Sequence, residues 1–440
     1  MRRVATLFGC SAPAVVLVAS LFNGQQVMID DPVGITAWLL GAAPALLVGL
    51  ILLPWAAGRR PLVDGSRWVV AATVTMFAWC AIRTIGVPRC LLTRAGEPFE
   101  KCLPEWVAWV PLLQAVTTAG FAWLLVAAVP PRLLNRWLVA LASAVAVGTT
   151  VALVRALIHP RGFNRLGSGL GGPAVLSVAL VLAAVLLVAA ARVTRRRRRP
   201  LLLGAVWLAV LVVLTFSRAG VAVAVIVAVV LAGTGRLRVG RRELMLIGGV
   251  LLALVLAVAL VFPDLLGRLL TLGDPDRAAT TRIALGFWAE DWGRILGGAG
   301  TARVWPWFAV DADLLWASEN GLYGMAGMSG EILGHAHSTF LTVLVEHGVI
   351  GMLLLAAILV AICWAAVRSR GDEPWRWGLV AAVAVVPAFF FDTYLFRNPG
   401  VTFVWWLVIF AGLAGWGVTG RAADGKVDPM SEPGTNTLEA

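Results

Sequence analysis

The sequence predicts an all-α polytopic membrane bundle of about twelve transmembrane helices with a large extracytoplasmic helical loop. Three observations lead there. Of the 440 residues, 60% are hydrophobic and only 14% charged, and the mean hydropathy is +0.87. A soluble domain carries about 25% charged residues, so these values exclude a disordered chain and argue against an ordinary soluble enzyme. The apolar residues gather into runs near the ~20 residues that cross a bilayer core of about 30 Å. The basic residues fall in short clusters between alternate runs. A net charge of +12 and a pI of about 10.9 would suggest nucleic acid on a soluble chain. Here the clustering reads as an orientation signal, and no nucleic-acid partner is expected.

Taken in order, the apolar runs are 4–22, 33–56, 67–86, 106–129, 137–158, 172–191, 201–215, 220–233, 244–262, 339–367, 377–395 and 400–417. The first follows Met1-Arg2-Arg3 and has no small-residue cleavage site after it, so it reads as a retained span rather than a signal peptide. Runs 201–215 and 220–233 are short, with only Phe216-Ser217-Arg218-Ala219 between them. They read as an interrupted helical hairpin whose tip lies at or below the membrane surface. With the N-terminus inside, the cytoplasmic connections carry Arg2 and Arg3, Arg59 and Arg60, Arg132 and Arg136, the run Arg195 to Arg199, Arg236 to Arg242, and Arg368 to Arg376. That bias puts both termini in the cytoplasm.

Four domains follow: spans one to nine over 1–262, an extracytoplasmic cap over 263–338, spans ten to twelve over 339–417, and a polar, disordered cytoplasmic tail over 418–440. The cap holds five tryptophans, among them Trp288 and Trp305. Residues 281–296 have the apolar spacing of one helix, closed by Gly297-Gly298-Ala299-Gly300. Cys10, Cys80 and Cys363 lie in apolar runs and read as small core residues. Cys90 and Cys102 share one loop, where a disulfide is an open alternative if the loop faces an oxidising compartment.

Few residues in so apolar a chain can carry chemistry. Arg218, between two short apolar runs, is expensive to hold there, and an anionic ligand is its natural partner; the plain alternative is snorkelling to the interface. Arg282 opens the cap helix, where its planar fork suits phosphate, against the default of a surface ion pair. His335 and His337 stand where the cap enters span ten, and an imidazole there is a candidate general base or a plain helix cap. The two histidines lack a third ligand at metal spacing. Asp274-Pro275-Asp276 and Asp311-Ala312-Asp313 fit turns better than a cation site. No metal and no cofactor is therefore expected. Glu346, Arg397, Asp392 and Trp288 are further pocket candidates.

Three segments, in order, resemble the O-antigen ligase and polymerase superfamily, membrane glycosyltransferases of the GT-C type. LTFSRAG resembles that family's Ser-Arg-Gly segment, with Ala219 where glycine is frequent. TRIALGFWAEDWGRILGGAG resembles its Arg…Trp helix and glycine turn, and HSTFLTVLVEHGVIG its final His…Glu-x-Gly-x-x-Gly segment, with Ser338 where asparagine is frequent. The nine-residue step to Glu346 selects His337 over His335. The resemblance implies a polyprenyl diphosphate-linked glycan donor, a glycan or glycolipid acceptor, a lipid bilayer and an extracytoplasmic site. Carried onto this chain, Arg218 and Arg282 bind the diphosphate and His337 is the base. The expected function is a metal-independent, inverting glycan ligase of the plasma (inner) membrane. A polymerase of the same superfamily and, from another class, a solute transporter are the alternatives.

Overall fold

The computed structural model describes residues 1–21, 44–56, 58–85, 90–92, 98–102, 109–158, 165–235, 275–301, 336–369 and 371–423. Apart from one short hairpin, the regular elements among the described residues are helices. The first span is two helices, α1 (Arg2–Cys10) and α2 (Ala12–Leu21), parted at Ser11. Then come the apolar stretch α3 (Pro44–Trp55), α4 (Arg59–Ile82), the strands β1 (Cys90–Leu92) and β2 (Pro98–Cys102), and α5 (Trp109–Ala128). α6 (Leu134–Leu157), α7 (Pro173–Val193), α8 (Arg198–Leu214) and α9 (Arg218–Gly233) follow. The chain continues with α10 (Pro275–Trp288), α11 (Trp292–Gly297), α12 (Thr339–Arg368), α13 (Pro374–Ala384) and α14 (Pro399–Ala423).

Among the described residues seven helical stretches are long and apolar enough to cross a membrane, and shorter apolar helices accompany them. The expected span 244–262, most of the cap and the tail beyond 423 lie outside the described residues. Burial separates pillars from rim. The apolar windows of α7 and α14 are 83% and 89% buried, whereas those of α1–α2 and α12 are 28% and 33% buried. A helix apolar all round and buried all round is a bundle centre; one equally apolar but exposed on one side presents that side to lipid. Trp405 Nε1 donates to the Ala382 carbonyl at 3.0 Å, tying α14 to α13 where water cannot satisfy either group.

Two readings of the sequence are corrected. The run 281–296 is not one helix. It breaks at Ala289–Asp291, because Asp291 caps a new helix by accepting from Arg294 N–H at 2.9 Å. Nor is 377–395 one span. Its helix begins at Pro374, passes into a 3₁₀ turn at Val386–Phe390, where Pro387 lacks the donor an α-helix needs, and ends there. The Asp274-Pro275-Asp276 stretch also differs from the expected turn, since Pro275 and Asp276 open α10. The β1–β2 hairpin was not expected in an all-α chain; it lies within the connection from α4 to α5.

The helices run so that one end of the bundle carries the arginine-rich connections. At that end Gly58 N–H bonds the Ala127 carbonyl at 3.0 Å, linking the start of α4 to the end of α5. The opposite end gathers the three segments singled out in the sequence. There Leu166 N–H donates to Leu214, Gly169 to Ser20 and Val401 to Leu170, all at 3.1 Å. These bonds stitch the connections of α2, α6, α8 and α14 into one floor.

Candidate active site

The first segment is the break between α8 and α9. Phe216 has φ of 48°, a left-handed conformation that costs a bulky residue about 1 kcal/mol or more. The turn is held at both sides: Arg165 Nε donates to the Thr215 carbonyl at 3.2 Å, and Ser217 Oγ caps α9 by accepting from Gly220 N–H at 3.0 Å. Gly220 lies against Ser177 of α7 so closely that an added Cβ would be 2.5 Å from the serine Cβ. Arg218 therefore occupies the first position of α9, exposed at the open end of the bundle.

The second and third segments interlock. Gly348, inside α12, has φ of 68°, and such a residue interrupts the helical ladder and leaves carbonyls seeking other donors. The carbonyls of Val345 and Glu346 accept from Ala299 and Gly300 N–H, each at 2.9 Å. The His347 carbonyl accepts from Trp79 Nε1 of α4 at 3.0 Å. The approach is close enough to require glycine on both sides. A Cβ on Gly298, itself at φ 73°, would sit 2.3 Å from the Glu346 carbonyl carbon, and one on Gly348 would sit 2.3 Å from the Leu296 oxygen. Arg83, just past α4, closes the assembly with a 2.6 Å bond to the Gly298 carbonyl, and Thr301 Oγ1 donates to Cys80 at 3.0 Å.

His337 stands immediately before α12 with φ of 46°, half-buried. It is not the cap of that helix. Ser338 is, accepting from Leu341 N–H at 3.2 Å and donating to Phe389 at 3.3 Å. The Asp392 carbonyl accepts from Thr339 N–H at 3.0 Å and from Thr339 Oγ1 at 2.9 Å, while Tyr394 N–H donates back to that hydroxyl. The segment Val386–Asp392 thus seats the start of α12. It also seats the start of α10, since Arg277 donates to the Phe391 carbonyl at 3.1 Å, and α9 packs against Val386–Phe390. One short stretch of chain therefore touches α9 and α10, which carry Arg218 and Arg282, and the start of α12, which His337 immediately precedes. Arg282 lies exposed on α10.

The other sequence candidates fall around this centre. Asp392 is half-buried, and burial pushes its carboxyl up, against the lowering effects of the Thr393 N–H, Arg397 and Arg277. Burial and the neighbouring Asp392 likewise push the Tyr394 phenol up. Arg397 is 3% exposed. Glu346 is buried beneath the glycine turn, about 12 Å along α12 from the helix start at 1.5 Å per residue, so the nine-residue step does not make it a neighbour of His337. Trp288 folds α11 back on α10 through Nε1 to the Ile295 carbonyl at 3.2 Å. His335, Asp311 and Trp305 lie outside the described residues. Among the described residues no three His, Cys, Asp or Glu side chains group as metal ligands. Trp79 and Arg83 escaped the sequence reading. The available signal was an arginine at the wrong end of a span for the positive-inside bias.

Residues 203–356 match the family model described as O-Antigen ligase (Wzy_C). Over this stretch the chain is similar to the O-antigen ligase family. No curated protein matches it. The match supports membrane glycan processing of the ligase or polymerase type, and the long apolar helices among the described residues indicate a multi-pass membrane protein. The match takes in all three segments singled out in the sequence. It leaves out α13 and Val386–Asp392, so the strip that seats Ser338, Thr339 and Arg277 lies beyond the matched region.

Proposed function

We propose that this chain is a glycan ligase that transfers a saccharide from a polyprenyl diphosphate-linked donor to an acceptor hydroxyl outside the cytoplasm. Arg218 and Arg282 hold the diphosphate. His337 takes the proton of the acceptor hydroxyl as its oxygen attacks the anomeric carbon. The bond from that carbon to the diphosphate oxygen breaks, and polyprenyl diphosphate leaves. Negative charge grows on the leaving group, and guanidinium groups already in place stabilise it as it develops. Attack from the face opposite the leaving group inverts the anomeric centre. No metal or cofactor is required in this scheme.

One observation carries the reading: Val386–Asp392 touches the two helices bearing the arginines and the start of α12, which the histidine immediately precedes, at the bundle end opposite the arginine-rich connections. A solute transporter would instead place polar groups along several spans near the midplane. Here Ser177 is the one polar residue of α7 from Pro173 to Ala191.

Deletion and complementation test it, with surface glycans profiled by mass. The wild-type chain restores a product carrying the transferred saccharide. Arg218→Ala, Arg282→Ala and His337→Ala are expected to be made at normal levels and to lose at least ~100-fold of that product, the scale of a general base or oxyanion donor. Full complementation by all three overturns the proposal. Loss of chain length, with the terminal linkage intact, assigns the protein as a polymerase instead.

A further inference from the structure

β1 and β2 pair antiparallel, and their register sets Cys90 opposite Cys102, with a slip between Cys90 and Leu92. Directly opposed residues of an antiparallel pair have Cα atoms about 4.5 Å apart at one kind of site and about 5.5 Å at the other. Both values lie within the ~4.4–6.8 Å that a disulfide spans. The hairpin sits between Ile82, where α4 ends, and Trp109, where α5 begins, so it belongs to the bundle end that holds the candidate site. We propose that Cys90 and Cys102 are joined by a disulfide that closes this connection. The inference rests on the proposed reading that this end is extracytoplasmic, because cytosolic thiols are kept reduced.

The remaining cysteines are poor partners. Cys80 is buried within α4, Cys363 lies near the C-terminal end of α12, and Cys10 ends α1. Formation is a two-electron oxidation. The two thiols lose two protons and two electrons to the disulfide of a protein thiol–disulfide oxidoreductase, which leaves as a dithiol through a mixed-disulfide intermediate. The bridge would sit a few residues beyond Arg83 and Trp79, which hold the glycine turn against α12. It would limit how far the α4–α5 connection moves relative to that turn.

The test uses the full chain in its native membrane. Free thiols are blocked with N-ethylmaleimide under denaturing conditions, the sample is reduced, and newly freed thiols are labelled with a polyethylene glycol maleimide. Two labels per chain after reduction, lost in Cys90→Ser and in Cys102→Ser, are expected. Blocking of all five cysteines before reduction overturns the bridge, as does a reducible pair that survives Cys102→Ser. A second arm treats intact cells carrying Cys102→Ser with a membrane-impermeant maleimide, against a Cys90→Ser, Cys102→Ser background. Labelling of Cys90 from outside, with no reducible pair in the wild type, overturns the bridge and leaves the orientation standing. Failure to label Cys90 from outside overturns the orientation and the bridge with it.

Discussion

At the scale of single residues, the candidate base is held in an unfavourable backbone conformation. His337 has φ of 46°, and an L residue in that region gives up about 1–2 kcal/mol. The bonds of Ser338 and Thr339 to Phe389 and Asp392 hold the chain there. Glycine at 337 removes both the imidazole and the strain, while alanine removes only the imidazole. His337→Gly is therefore expected to lose transfer as fully as His337→Ala yet unfold later in detergent, with a stability difference of about 1 kcal/mol between the two. Equal melting temperatures would show that the strain is absent. Asp392 makes a second residue-scale prediction. A carboxyl whose pKa is raised by folding weakens the folded state above its unfolded pKa and leaves it unaffected well below. Asp392→Asn should thus raise the melting temperature at neutral pH, and the gain should vanish as pH falls through the ordinary carboxylate range near 4. A gain that persists in acid would assign the effect to something other than charge.

Between elements, the decisive contact is the insertion of the glycine turn into the break of α12. Gly298 and Gly348 each face the other's segment at distances no Cβ tolerates, and each has a left-handed φ. Either Gly298→Ala or Gly348→Ala must push Leu296–Gly298 away from Glu346–Gly348. Once the two segments are apart, the second substitution meets only its own backbone cost. The double variant is expected to lose less stability than the sum of the singles, with a coupling of at least ~0.5 kcal/mol in a double-mutant cycle. Strict additivity would deny the interlock. The spacing of the glycines was legible in the sequence; their purpose was not, because the partner carbonyls come from a helix that starts some forty residues later.

Across the whole molecule, the arginine clusters and the interlocked segments occupy opposite ends. The basic connections before α4, before α8 and after α12 all lie at the first end, and the turns after α4, α8 and α11 all lie at the second. This arrangement predicts that a fluorescent protein fused after Ala423 folds and fluoresces on the cytoplasmic side, while alkaline phosphatase fused after Ile85 is active outside. The reverse pattern would move the candidate site to the cytosol and remove the proposed function.

Composition and the spacing of apolar runs were enough to determine an all-α membrane bundle and the break that exposes Arg218. These are local properties: span length follows from bilayer thickness. Three ordered motifs were also enough to indicate the family resemblance that the match over residues 203–356 supports. Tertiary structure alone decided that 281–296 is two helices, that Ser338 rather than His337 caps α12, and that Trp79 and Arg83 complete the glycine turn. It alone decided that Val386–Asp392 underlies the site. The reason is that an orphaned backbone carbonyl or a helix start must find a donor wherever the fold brings one. That donor's position in the chain has no relation to the period or spacing of the residues it serves.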